Sequence, residues 1–183
     1  VAQLVFGDVR SAWIWLILRL YVGWQWLEAG RGKLQSAAWT GGNAGAAITG
    51  FVTGALTKTA GDHPDVQGWY AWFLQVVVLP HAPLWSRLIA WGEVLVGVAL
   101  IVGLFTGLAA FFGSFMNVNY LLAGAVSTNP ILFAIATWLV LAWKMAGWWG
   151  LDRWVLPALG TPWRPGIIFH HEPQDRLQQP GVA

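Results

Sequence analysis

Apolar residues gather into four long runs, at about residues 11–29, 84–104, 107–125 and 130–149. Each approaches the ~20 residues that a helix needs to cross ~30 Å of hydrocarbon. The breaks after the second and third runs are short: Phe105 and Thr106 between Gly103 and Gly107, then Ser127, Thr128 and Asn129 before Pro130. Connections of that length set neighbouring helices antiparallel. Asn129 followed by Pro130 has the form of a helix cap with proline in the first turn. The pattern predicts an all-α integral membrane protein, a four-transmembrane-helix up-down bundle. Arg19 interrupts the first run and no small-residue cleavage pattern follows it, so this run is expected to stay as a span and not to be removed as a signal peptide.

Residues 30–83 form a long loop between spans one and two, too long for a compact bundle to leave without structure. Its first half places Ala44, Ile48, Phe51, Val52 and Leu56 at helical spacing, which predicts a short amphipathic helix. The second half starts after Asp62-His63-Pro64-Asp65 and carries Trp69, Trp72, Phe73 and Val76 before Pro80 ends it. That stretch is too short to span and reads as an interfacial or re-entrant lid. The expected organisation is a four-span membrane domain over residues 1–157, the helical loop 30–83 included, and an extramembrane tail over 158–183 carrying Pro165, Pro173 and Pro180.

Composition agrees with contact to a lipid bilayer. Of 183 residues, 57% are hydrophobic and 10% charged, against roughly a quarter charged in an ordinary soluble domain. A net charge of +2 suits an anionic membrane surface and not nucleic acid. Without cysteine the chain has no thiolate for an iron–sulfur cluster, a metal or a covalent haem. His63, His81, His170 and His171 all lie outside the apolar runs. No haem, iron–sulfur cluster or metal is therefore expected, and electrons must use a diffusible carrier or a partner. Among the 15 tryptophans, Trp13, Trp15, Trp85, Trp143, Trp148, Trp149 and Trp154 fall at run ends and are read as interfacial anchors. Arg10, Arg153, Arg164 and Arg176 on the terminal side nearly balance Arg31, Lys33, Lys58 and Arg87 on the loop side. The charge rule leaves both termini expected in the cytoplasm of a multi-pass protein.

Ionisable groups at membrane depth are costly and mark sites or pairs. Arg19 in the first run and Glu93 in the second both count to near mid-depth when their helices run antiparallel. They are expected to face each other, either as a bridge that locks the helices or, with Lys144 of the fourth run, as a pocket for an anion or a quinone carbonyl. Gly113, Asn117, Tyr120 and Gly124 make one small, polar face on the third run, suited to helix packing or to a ligand. Arg31, Lys33, His81 and Arg87 gather at the loop-side rim, where His81 is a candidate proton shuttle. Nothing matches a nucleophilic triad, a phosphate loop or a carboxylate-rich metal site.

Several segments in order carry a resemblance: Leu18-Arg19-Leu20-Tyr21-Val22-Gly23-Trp24, Ala29-Gly30-Arg31-Gly32-Lys33-Leu34, Gly92-Glu93, Gly103-Leu104-Phe105-Thr106-Gly107, Met116-Asn117-Val118-Asn119-Tyr120, and Gly150-Leu151-Asp152-Arg153-Trp154. Over about residues 11–157 the chain resembles the DoxX/DoxD family. The resemblance implies a small four-span subunit in a prokaryotic cell (inner) membrane. For the DoxD branch it implies thiosulfate oxidation to tetrathionate with quinone reduction. It also implies a polar core of Arg19, Lys33, Glu93 and Asn117, closed by Asp152 and Arg153.

Two functions compete on this basis. In the first, a quinone-linked oxidoreductase subunit uses Arg19, Glu93 and His81 catalytically. Lys144, Asn117 and Tyr120 bind the quinone, its electron-accepting substrate, while Arg31, Lys33 and Arg87 draw in a small sulfur oxyanion. In the second, a noncatalytic accessory subunit docks on membrane-protein partners in a larger respiratory or photosynthetic complex. A transporter ranks last, for want of an inverted repeat.

Overall fold

The computed structural model describes residues 2–161. The tail from residue 162 onward, with Arg164, His170, His171 and Arg176, lies outside the described residues. In chain order the α-helices are α1 (Ala2–Gly7), α2 (Ala12–Leu34), α3 (Ala46–Leu56), α4 (Gly68–Phe73), α5 (Ala82–Val102), α6 (Thr106–Leu122), α7 (Asn129–Leu141), α8 (Trp143–Ala146) and α9 (Asp152–Ala158). No strand occurs among the described residues.

The long helices form a ring in which α2 packs along α5, α5 along α6, α6 along α7 and α7 back against α2. Glycines set the α2–α5 register. A Cβ on Gly30 would stand 2.7 Å from the Val94 nitrogen, one on Gly97 2.5 Å from the Leu27 nitrogen, and one on Gly23 3.0 Å from Leu100 Cβ. Positions rising along α2 thus meet positions falling along α5, so the pair is antiparallel and its backbones touch over the contact. On the other side of the ring, Ser114 and Thr137 share a hydroxyl hydrogen bond of 2.9 Å, and Trp143 lies against Gly107, which makes α6 and α7 antiparallel too. Val22, Trp26, Leu100, Ala110, Leu139 and Met145 fill the centre.

The outer faces are as apolar as the centre. Ile17 and Trp24 on α2, Leu88, Trp91 and Leu95 on α5, Phe111 and Phe115 on α6, and Trp138 and Leu141 on α7 are all exposed. A chain in water does not leave so much contiguous apolar surface bare. One helical run, Gly68–Val102 with 35 residues, is long and apolar enough to cross a membrane.

That run corrects the expected loop. Pro80 does not end a separate lid. Instead α4 continues through a π-helical turn, Leu74–Val78, and a 3-10 turn, Leu79–His81, directly into α5. The Trp85 indole donates to the Val77 carbonyl at 3.2 Å, supplying a donor near the point where proline has none. Trp69, Trp72 and Val76 turn outward, while Tyr70, Leu74 and Val78 are buried. The other half of the loop folds as expected, with Ile48, Val52 and Ala55 of α3 buried.

The fourth run also differs, since α7 stops at Leu141 and the chain turns at Ala142 into α8, where Met145 and Ala146 are buried. Two of the presumed anchors are core residues. Trp15 is buried and donates to the Val5 carbonyl at 2.8 Å, and Trp148 is buried beneath Arg153, 5.0 Å from its ring centre.

Because a Gly97 side chain would meet backbone, Gly97→Val is expected to lower stability by about 1–3 kcal/mol. Gly50→Ala on α3, where a Cβ meets nothing within 4 Å, is expected to gain up to about 1 kcal/mol. Thermal unfolding of both variants in detergent checks the contrast.

Candidate functional site

Two buried polar centres stand at opposite ends of the ring. The first is built on Glu93, 1% exposed. Lys33 donates to its Oε2 at 2.6 Å, and the Tyr120 hydroxyl donates to its Oε1 at 2.6 Å. Lys33 reaches it from the last turn of α2, Tyr120 from α6. A buried carboxylate persists when a cation and further donors hold it, and Glu93 has both. Aromatic rings complete the surroundings: Trp39 lies 5.0 Å from the Lys33 ammonium, Trp26 stacks on Tyr120 at 6.5 Å, and Phe51 meets Tyr120 edge-on at 5.9 Å.

Two cavities flank this cluster, and Tyr120 lines both. One, of about 250 Å³, has a mixed polar and apolar wall and reaches from Lys33 and Glu93 to Ser127, Thr128 and Asn129, where α7 begins. The other, of about 130 Å³, is an apolar cleft walled by Phe51, Phe73, Trp85, Phe115 and Tyr120. Phe115 is exposed, so the cleft reaches the outer apolar face.

The second centre holds Arg19, also 1% exposed. Its Nη2 donates to the Trp149 carbonyl at 2.9 Å, and a Cβ on either Gly103 or Gly150 would collide with its Nη1. Asp152, fully buried, accepts from the Phe105 N–H at 2.5 Å and the Thr106 N–H at 2.8 Å, capping α6. Its charge acts on Arg19. Backbone bonds from Leu151 to Val102 (3.1 Å) and from Asp152 to Gly103 (2.8 Å) close this end.

A family model described as TQO small subunit DoxD matches residues 14–164, a span that takes in both centres. The chain belongs to the DoxD family. No curated protein and no solved structure matches it.

In this DoxD chain Arg19 and Glu93 do not meet. Counting depth from the start of each apolar run put them level, but the glycine register sets Glu93 beside Gly30 and Arg19 beside Gly103. Gly103 lies ten residues past Glu93, about 15 Å along a helix. Lys144 joins neither charge; its ammonium lies 5.4 Å from the Trp143 ring centre, in α8, beyond the far end of α7. Lys33, Glu93 and Tyr120 come together. Asn117 is fully buried on the same face of α6, its amide without a protein partner. Arg31, Arg87 and His81 are exposed and line neither cavity.

Sequence reasoning missed the Lys33–Glu93 pair, Trp26 beside Tyr120, and Asp152 as the cap of α6. A signal for the first was present: Gly23 and Gly30, seven apart, mark the face of α2 that touches α5, and Lys33 lies three residues further on.

Asp152→Ala should destabilise the DoxD fold by about 1–3 kcal/mol, because it leaves the Phe105 and Thr106 N–H groups without their acceptor and takes away a negative charge that acts on Arg19. Adding Arg19→Met should restore part of that loss. A double-mutant cycle on thermal unfolding measures the coupling.

Proposed function

We propose that the chain is the small membrane subunit of a quinone-linked oxidoreductase, that α2, α5, α6 and α7 all cross the membrane, and that quinone is reduced beside Tyr120. Tyr120 carries this reading. Its hydroxyl is bonded to Glu93, and its ring walls the aromatic cleft. The cleft's chemistry fits a quinone ring, apolar and stackable on its faces, with one phenolic donor in its wall to meet a carbonyl oxygen. The apolar outer faces of all four helices support the four-span topology.

Reduction of a quinone to a quinol takes up two electrons and two protons. Joining two thiosulfates through a sulfur–sulfur bond to make tetrathionate releases two electrons, so the balance closes. Tyr120 is placed to give a proton to the quinone oxygen, with Glu93 and Lys33 replacing it. Arg31 and Arg87, exposed near the loop side, suit attraction of an anionic donor, and partner subunits complete the donor site. Arg19 is assigned to holding the far end of the bundle closed.

The test is thiosulfate-dependent quinone reduction by the complex purified in mild detergent. Tyr120→Phe and Glu93→Gln are each expected to lower turnover about 10²-fold while the chain still folds and co-purifies. Unchanged turnover in both variants would mean a docking subunit without chemistry and would overturn the reading.

A further inference from the structure

Three buried polar atoms beside the Glu93 cluster have no protein partner: the Trp26 indole N–H and both amide atoms of Asn117. Trp26 is 3% exposed and Asn117 is fully buried. The indole bridges α2 and α6. Its ring stacks on Tyr120, and its nitrogen lies 3.0 Å from where a Gly113 Cβ would stand. Asn117, four residues after Gly113 and three before Tyr120, shares the face of α6 that meets the indole. Bare polar groups grouped in this way are the usual seat of buried water.

The cavity beside Glu93 reaches the Trp26 side of this group. Trp26 lines it together with Lys33, Glu93 and the first residues of α7, and the Lys33 side chain is 19% exposed. In the other direction the interior closes. Val22, Leu100, Ala110, Leu139 and Met145 are apolar and have no exposed surface. The charged and titratable groups that face Glu93 are Lys33 from α2 and Tyr120 from α6, while Asn117, Trp26, Thr128 and Asn129 are neutral.

We propose that this cavity is a one-sided proton inlet: water held by Asn117 and the Trp26 N–H feeds Glu93 and Tyr120 from the end of the bundle where α7 begins, and the apolar plug shuts it from the Arg19 end. The inference rests on the quinone reading. For each quinone reduced, two electrons come from the sulfur-oxyanion donor and two protons enter by this route. A proton leaves Tyr120 for a quinone oxygen, Glu93 passes on its replacement from the Lys33 ammonium, and a proton taken from the bulk solution and conducted along the cavity water returns the Lys33 amine to ammonium.

The chain has no cysteine, so single cysteines report water access directly. In membrane vesicles, Ser127→Cys and Asn117→Cys are expected to react with a membrane-impermeant methanethiosulfonate from the same side, and Leu100→Cys from neither. Labelling of Asn117→Cys from the opposite side only, or fast labelling of Leu100→Cys, overturns the inlet. Trp26→Phe keeps an aromatic ring against Tyr120 and removes the N–H together with the five-membered half of the indole. In the complex it is expected to slow turnover several-fold, raise the solvent isotope effect and leave the KM for thiosulfate unchanged; an unaltered isotope effect with wild-type turnover counts against the water. In proteoliposomes, proton uptake is expected on the side that labels Ser127→Cys. Quinone reduction with uptake on the other side refutes the inlet and spares the quinone site. One-sided labelling in a complex that reduces no quinone refutes the quinone site and spares the inlet.

Discussion

A carboxylate inside a dry helical bundle must keep a cation and a hydrogen-bond donor within reach, since the desolvation penalty is several kcal/mol per ion. Glu93 imposes that requirement on three helices at once. The last turn of α2 must extend to Lys33, past the end of the first apolar run. Helix α6 must present Tyr120 at the same depth. Between them, α2 and α5 must approach closely enough for Lys33 to cross, which the bare backbone at Gly30 and Gly97 permits. A side chain at either glycine would push the helices apart and leave the carboxylate stranded.

Splitting the charges between two ends follows from the same economy of desolvation. Arg19 has no acidic side chain in direct contact: its Nη2 donates to a backbone carbonyl, the glycine backbones of positions 103 and 150 lie against it, and its Nε and Nη1 are buried without a protein partner. Asp152 is occupied with the two N–H groups that open α6. That end therefore works as a clasp between the α5–α6 turn and the segment entering α9, with a cavity of about 410 Å³ opening beside Thr106, Trp143 and Asp152. What distinguishes the Glu93 end is a phenolic hydroxyl between two cavities, whereas the polar groups of Asp152 at the other end are committed to backbone N–H groups.

Much of this was legible in the sequence, and the failures have physical causes. The four apolar runs, their antiparallel order and the α3 face followed from hydrophobic period and turn length, signals that each residue carries locally. The importance of Arg19, Glu93 and Asn117 as polar residues inside apolar runs was also visible, and the family resemblance set Lys33 beside them. Pairing was not, because it depends on helix register, and the depth of a residue in its own run says nothing about where two helices touch. The glycines at 23, 30 and 97 held that information, but a small-residue pattern becomes a register only when both faces are known. The capping role of Asp152 stayed hidden for a different reason: a cap supplied from 46 residues away leaves no local trace.

Pro80 shows how one long-range contact can override a strong local signal. Proline removes a backbone donor and normally ends a helix, yet the run from Gly68 to Val102 continues through it. The π-helical turn before it shifts the helix face by inserting extra backbone, which leaves Leu74 and Val78 buried against α3, and the Trp85 indole donates to the Val77 carbonyl nearby. As a result the wall of the aromatic cleft and the helix that holds Glu93 form one continuous rod. Leu74, Val78 and Trp85 line the cleft on the same rod that, two turns beyond Trp85, carries the carboxylate bonded to Tyr120. Under the quinone proposal, a ring entering the cleft would press on the element that positions Glu93, the partner of Tyr120, and a lid hinged at Pro80 would have lost that link.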